Sequence, residues 1–130
     1  MKLQYNFFAY LIALLILGGC TYDKALDAGP VIPFVSYKDE IKPIIVANCY
    51  QCHSSMSTDP NRPGYAFFDD FNELQRYALK PSTNPNYNGT ELQARIRYME
   101  IPGMPFAKPP LPEAEIVLIE NWIRGGALNN

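Results

Sequence analysis

The chain has few of the residues that metal and acid–base sites require. Its 130 residues include one histidine, three cysteines and one tryptophan. A structural zinc site usually takes four cysteine or histidine ligands. The chain has four such residues in total, and one of the cysteines, Cys20, has another predicted use, so a zinc site is not expected. Positive charge is also scarce, because 11 basic residues face 13 acidic ones, and the sequence therefore predicts no nucleic-acid partner.

Long hydrophobic runs are absent as well. The longest apolar run covers 7–17, follows a single charge at Lys2 and is too short for a comfortable transmembrane helix. It suits the hydrophobic part of a signal peptide, although an ordinary secretory signal or a short anchor remains an alternative. Because small residues precede Cys20, the segment resembles a bacterial lipoprotein signal. We therefore expect a signal over 1–19, a lipidated Cys20 with a tether over 20–34, and a domain over 35–130.

Twelve prolines and eight glycines predict many loops between short helices. The first helix is expected to begin at Ser36, with Ile41, Ile44 and Ile45 on one apolar face and an irregularity at Pro43. Further helices are expected over 69–79, 90–99 and 113–126. The last of them carries Ile116, Ile119, Trp122 and Ile123 on one face, which we expect to cross the first helix near Ile41 and Ile45.

The segment Cys49-Tyr50-Gln51-Cys52-His53 is the most informative motif in the sequence. Cys-x-x-Cys-His is typical of c-type haem attachment: both thiols add to the vinyl groups of one haem, and the adjacent histidine binds the iron. A thioredoxin-like motif would lie beside a βαβ pattern, which the sequence does not indicate. A plain Cys49–Cys52 disulfide stays open as an alternative, but it gives His53 no role.

A sixth ligand for such an iron is predicted in the proline-rich segment 101–112. Met104 lies there between Gly103 and Pro105, where the stiff backbone would present its thioether. Met99 is the main rival, because it falls on the apolar face of the preceding predicted helix. Met56 follows His53 too closely to reach the opposite side of the ring. The alternative for Met104 is an ordinary place in the core.

These pieces together resemble the small mono-haem bacterial cytochromes c of the class I type. The resemblance extends over 37–128 and rests on Ile-Lys-Pro-Ile at 41–44, the Cys-x-x-Cys-His motif, Gly-Met-Pro at 103–105 and the terminal segment 111–127. It implies an all-α cytochrome c fold, with first and last helices crossing around one covalently bound haem c. By this resemblance Cys49 and Cys52 hold the haem, His53 is the proximal ligand and Met104 the distal one.

The resulting functional prediction is an exported electron carrier that is not an enzyme and has no small-molecule substrate. Its lipid on Cys20 would anchor it in a membrane, facing the periplasm or cell exterior, with membrane or periplasmic redox proteins as partners. One alternative is a haem enzyme or gas sensor with an open sixth position. Arg95 or Arg97 would serve near that position, although the favoured role of either is a solvated or propionate-pairing charge. Another is a permanent haem subunit of a larger complex, docked through the aromatic residues Tyr65, Phe67, Phe68 and Phe106.

Overall fold

Helices provide the regular secondary structure of residues 34–130, the part of the chain that the structure, a computed structural model, describes. Within this range no strand forms, and the one bridge is an isolated pair between Pro81 and Thr90. The all-α prediction is therefore confirmed. The predicted signal over 1–19, the lipidated Cys20 and the tether except for Phe34 lie outside the described residues. None of the helices in the described range has the length and apolar character needed to cross a membrane.

The first helix changes its winding along its length. It begins as a π-helical turn over Tyr37–Ile41 and continues as an α-helix over Lys42–Asn48, and we call the two together α1. Ser36 caps it, because its Oγ accepts a hydrogen bond from the Asp39 amide at 3.2 Å. Proline has no N–H to donate, so Pro43 is accommodated where the α-helical part starts. The irregularity predicted at Pro43 is thus a change from π-helical to α-helical winding just before this proline.

Four further helices follow: α2 over Tyr50–His53, α3 over Phe71–Leu79, α4 over Glu91–Ile96 and α5 over Glu113–Arg124. The Asp70 carboxylate caps α3 by accepting from two amides of its first turn. Thr90 and Gln93 form a reciprocal capping box at α4. Helix α4 ends three residues earlier than predicted, because Arg97 leaves the helix and Tyr98 adopts a positive φ of 56°.

The core lies where α5 packs against α1. The predicted apolar face of α5 is buried in the same cluster as Ile41, Ile44 and Ile45. Tyr37 stacks on Trp122 with ring centroids 5.6 Å apart, and the indole Nε1 donates to the Leu128 carbonyl at 2.8 Å. Each fully buried aliphatic side chain here contributes roughly 1.5–3 kcal/mol, so this contact fixes the first helix and hence the residues that follow it.

The last residue of the chain completes the start of α1. The Asn130 side chain accepts from the Tyr37 amide at 2.7 Å and donates to the Val35 carbonyl at 3.2 Å. Its backbone carbonyl accepts from the Lys38 amide at 3.0 Å. The first amides of a helix have no partner within the helix, and Asn130 supplies two of them with acceptors from the far end of the sequence.

Candidate haem site

One cavity of about 510 Å³ brings the predicted site residues together. Cys49, Cys52 and His53 line it from the junction of α1 and α2, and Met104 lines it from the loop between α4 and α5. This volume lies within the range of about 300–1,000 Å³ that is usual for ligand and cofactor sites. The structure thus places residues from two distant parts of the sequence around a single space.

The His53 ring is fixed in the tautomer that a metal ligand needs. Its Nδ1 lies 3.0 Å from the Ala66 carbonyl oxygen. A carbonyl can only accept, so Nδ1 carries the hydrogen and the neutral ring keeps its lone pair on Nε2. Metal-bound histidines commonly donate their second N–H to a backbone carbonyl in this way. His53 is therefore prepared to bind a metal through Nε2.

Phe68 packs flat against the same imidazole. The two ring centroids are 4.6 Å apart, the planes are 9° from parallel, and the Phe68 amide donates to the His53 carbonyl at 2.6 Å. Burial lowers the pKa of His53 from its ordinary 6.5, and the hydrogen bond to Ala66 opposes this only in part. The ring is therefore neutral at pH 7 and held from one face and one edge.

The two thiols of the motif are uncharged and are not bonded to each other. Burial raises the pKa of Cys49 to about 12, against a smaller opposing effect of Lys108, and burial likewise raises the pKa of Cys52. Redox-active and metal-binding cysteines usually have a lowered pKa instead. Neutral thiols at this spacing fit thioether attachment better than thiolate chemistry.

The position of the methionines separates the three candidates for a sixth ligand. Met104 is half-buried and lines the cavity. Met99 lies beyond the end of α4 and is 52% exposed, and Met56 is 85% exposed. The expectation that Met99 lies on the apolar face of α4 is therefore wrong, because the helix ends before it.

The two arginines considered for this region have different places. Arg95 lines the cavity and pairs with both Glu91 and Glu100 at 3.0 Å. A hydrogen bond from Ser82 is the main reason that the pKa of Glu100 is lowered, so this acid stays ionised beside Arg95. Arg97 instead pairs with Glu113 and Glu120 on α5 and does not line the cavity.

The residues present fit a covalently held haem. The cavity offers two neutral thiols, an imidazole with its Nε2 lone pair and a thioether, the donor set of a c-type haem with His and Met ligands. Across residues 34–130, no group of three His, Cys, Asp or Glu side chains comes together as ligands for a bare metal ion.

No pattern in the sequence pointed to several of the residues around the cavity. Asp59, Tyr77 and Lys108 line it, and burial raises the pKa of Tyr77 to about 12. The Ala66 carbonyl and the Phe68 ring support His53, but only the aromatic patch at 65–68 gave a signal in the sequence. The positive φ of 58° that turns the backbone at Ala66 has no signature in an alanine.

Comparison with known proteins does not assign a family to this chain. No protein-family model matches the chain, and neither a curated protein nor a solved structure does.

Proposed function

We propose that this chain is an exported electron carrier, a small mono-haem cytochrome c with a cytochrome c fold. The observation that carries the proposal is the single cavity lined by Cys49, Cys52, His53 and Met104. The packing of α5 on α1 supports a fold in which the first and last helices cross beside the cofactor. When bound, the haem iron supplies one-electron redox chemistry.

The surrounding residues suit this carrier role. Cys49 and Cys52 would hold the haem through thioethers, and His53 and Met104 would be the two protein ligands of its iron. An iron with both positions occupied has no open site for a substrate, so we infer electron transfer and not an enzyme activity. The Ala66 carbonyl and the Phe68 ring hold the imidazole in one orientation, which limits the rearrangement that accompanies electron transfer.

The rim of the cavity supports a contact with a redox partner. Tyr65, Ile101 and Phe106 line the mouth and are 69%, 95% and 47% exposed. Exposed apolar side chains gathered at one place commonly mark an interaction site, and electron-transfer contacts are small and transient. The same exposure favours, as a second candidate, a permanent haem subunit of a larger complex. Co-elution with a stoichiometric partner in size-exclusion chromatography would support the subunit, and elution alone would support the carrier.

We also propose that a lipid on Cys20 anchors the protein, facing the periplasm or cell exterior. The support is the apolar run over 7–17, which is followed by two glycines and a cysteine. Stable membrane attachment requires more than one acyl chain, which lipoprotein processing supplies. Cys20→Ser should move the protein from the membrane fraction to the soluble exported fraction and abolish incorporation of labelled fatty acid. A membrane-bound, unlabelled wild type would contradict lipidation.

The optical spectrum of the full-length chain tests the haem proposal. The protein would be produced with haem-attachment machinery, and its spectrum would be recorded in the ferric, ferrous and carbon monoxide-treated ferrous states. We expect a covalent low-spin haem with an iron–thioether charge-transfer band and no reaction with carbon monoxide. Met104→Ala should abolish the band, whereas the matched control Met99→Ala should keep it.

Two results would contradict the proposal in different ways. A high-spin iron that binds carbon monoxide at once would exclude Met104 as a ligand and favour the gas-sensing or enzymatic alternative. A chain that attaches no haem, with Cys49 and Cys52 still reactive toward a thiol reagent, would refute the haem site itself.

A further inference from the structure

We propose that Tyr98 is a positioning residue that clamps the loop over 98–112 and keeps external ligands away from the iron. The loop carries Met104, the distal ligand under the proposed function, and the inference rests on that function. It concerns a residue that lies outside the cavity lining and that no ligand motif identifies.

The Tyr98 hydroxyl reaches the part of the loop that follows Met104. It lies 3.1 Å from the Pro105 carbonyl oxygen and 3.3 Å from the Lys108 carbonyl oxygen, and it donates to this pair. One hydroxyl hydrogen shared by two carbonyls brings positions 105 and 108 together. The backbone on the C-terminal side of Met104 is thereby tied to the residue at which the loop begins.

The Tyr98 ring also lies directly against Gly103. A Cβ added at Gly103 would be 2.0 Å from Tyr98 Cδ1 and 2.4 Å from Cε1. Heavy atoms that are not bonded cannot approach this closely, so a side chain at position 103 would displace the ring. Gly103 is therefore required for the ring to cover the backbone immediately before Met104.

The backbone of Tyr98 is held in a conformation that a tyrosine rarely adopts. Its φ is 56°, in the left-handed region that disfavours residues with a Cβ. Such a conformation persists only where the surroundings determine it strongly, and these positions gather at functional sites. Here the surroundings are the Gly103 contact and the two carbonyls, so the strained turn and the clamp belong to one arrangement.

A second set of contacts holds the N-terminal half of the loop. The Met104 amide donates to the Arg95 carbonyl at 2.9 Å, and Arg95 Nη1 donates to the Pro102 carbonyl at 3.1 Å. Arg95 thus fixes the backbone that precedes Met104, and Tyr98 fixes the backbone that follows it. With both sides fixed, the thioether is held at the cavity, and it can leave only if the backbone that follows Met104 moves away.

Removing the hydroxyl should therefore favour the open loop. One net hydrogen bond corresponds to a change of roughly three- to tenfold in an equilibrium constant. An external ligand binds only the open form, so its apparent affinity rises in proportion to the open fraction. Tyr98→Phe keeps the ring on Gly103 and removes only the hydroxyl, so the fold should survive the change.

The experiment measures imidazole binding to the ferric full-length holoprotein, together with hydrogen exchange at the Met104 amide. Tyr98→Phe should bind imidazole roughly three- to tenfold more tightly and exchange the Met104 amide faster by a similar factor. Tyr87→Phe is the matched control, because Tyr87 lies on the loop before α4 and does not line the cavity; it should behave as wild type. Gly103→Ala displaces the ring by another route and should open the loop at least as far.

The outcomes separate this inference from the function on which it rests. A wild type with the iron–thioether band, combined with Tyr98→Phe and Gly103→Ala proteins that match it in both measurements, overturns the clamp alone. A wild type that lacks the band refutes the His and Met ligand set, and the clamp with it. Faster exchange and tighter imidazole binding in both variants but not in Tyr87→Phe establish the clamp.

Discussion

Arg97 joins the two ends of the loop that carries Met104, and its removal should weaken the domain measurably. The residue lies directly after α4, and its guanidinium pairs with Glu113 and Glu120 on α5, each at 2.8 Å. Arg97 Nε and Nη2 donate hydrogen bonds to the two Glu120 carboxylate oxygens at 2.8 and 2.9 Å. Arg97→Met keeps most of the apolar stem and removes the charge and its hydrogen bonds.

The size of the effect follows from the exposure of the two partners. The Glu113 side chain is 68% exposed, so that pair contributes roughly 0.2–1 kcal/mol. The Glu120 side chain is 17% exposed, and its two-fold contact with Arg97 corresponds to about 1.5–3 kcal/mol. Arg97→Met should therefore lower the free energy of unfolding by about 2–4 kcal/mol. For a domain of about 100 residues this lowers the Tm by roughly 8–30 °C.

Thermal and urea unfolding of the full-length chain, followed by far-ultraviolet circular dichroism, would measure this loss. The matched control is Arg76→Met, because Arg76 is 74% exposed and lies 3.5 Å from Glu73; its change should stay within about 0.5 kcal/mol. A double-mutant cycle with Glu120→Gln should give a coupling of about 1–2 kcal/mol. If Arg97→Met costs no more than Arg76→Met, the reasoning about this contact is refuted.

Two further predictions concern backbone strain and acid stability. Ala107 is exposed with a φ of 54°, so Ala107→Gly should raise the free energy of unfolding by about 0.5–1 kcal/mol. Ala66→Gly should be near neutral, because it also removes a buried methyl group worth about 0.8 kcal/mol. An Ala66→Gly variant that is equally stabilised in urea unfolding would contradict this. Hydrogen bonds from Ser55 hold the pKa of Asp69 below its ordinary 3.8. The stability that Asp69 contributes is present above that value and is lost as pH falls from about 5 toward the lowered pKa. Urea midpoints of Asp69→Asn should accordingly fall less between pH 6 and pH 3 than those of wild type, and identical slopes would speak against the hydrogen bonds.

Local patterns in the sequence predicted much of the fold. The start of α5 at Glu113 follows from Pro112 and the acidic first turn, and Thr90, as a capping residue, marks the start of α4. Both signals involve residues within one helical turn. The end of α4 was predicted less well, because the backbone at Tyr98 is set by its contact with Gly103, five residues beyond.

In the candidate site, too, local patterns predicted some features, and tertiary contacts determine the others. The spacing of the motif over 49–53 is enough to predict a haem site there, and the neighbouring prolines distinguished Met104 as its predicted second ligand. The choice between Met104 and Met99 depends on where α4 ends, which is a tertiary effect. The Ala66 carbonyl reaches His53 only after the chain has turned through a left-handed residue, so no pattern of side chains could have revealed it.

The bonds made by Asn130 have a consequence for the order of events in folding. The acceptor of the Tyr37 amide lies 93 positions later in the sequence, so the start of the first helix stays incompletely capped until Asn130 has reached it. Contacts of such long sequence separation form slowly, because the long loop between the two residues must close, at a cost in entropy, before the contact can stabilise the fold. Completion of the start of α1 is therefore expected to be a late step of folding, which follows the docking of the C-terminal residues on the first helix.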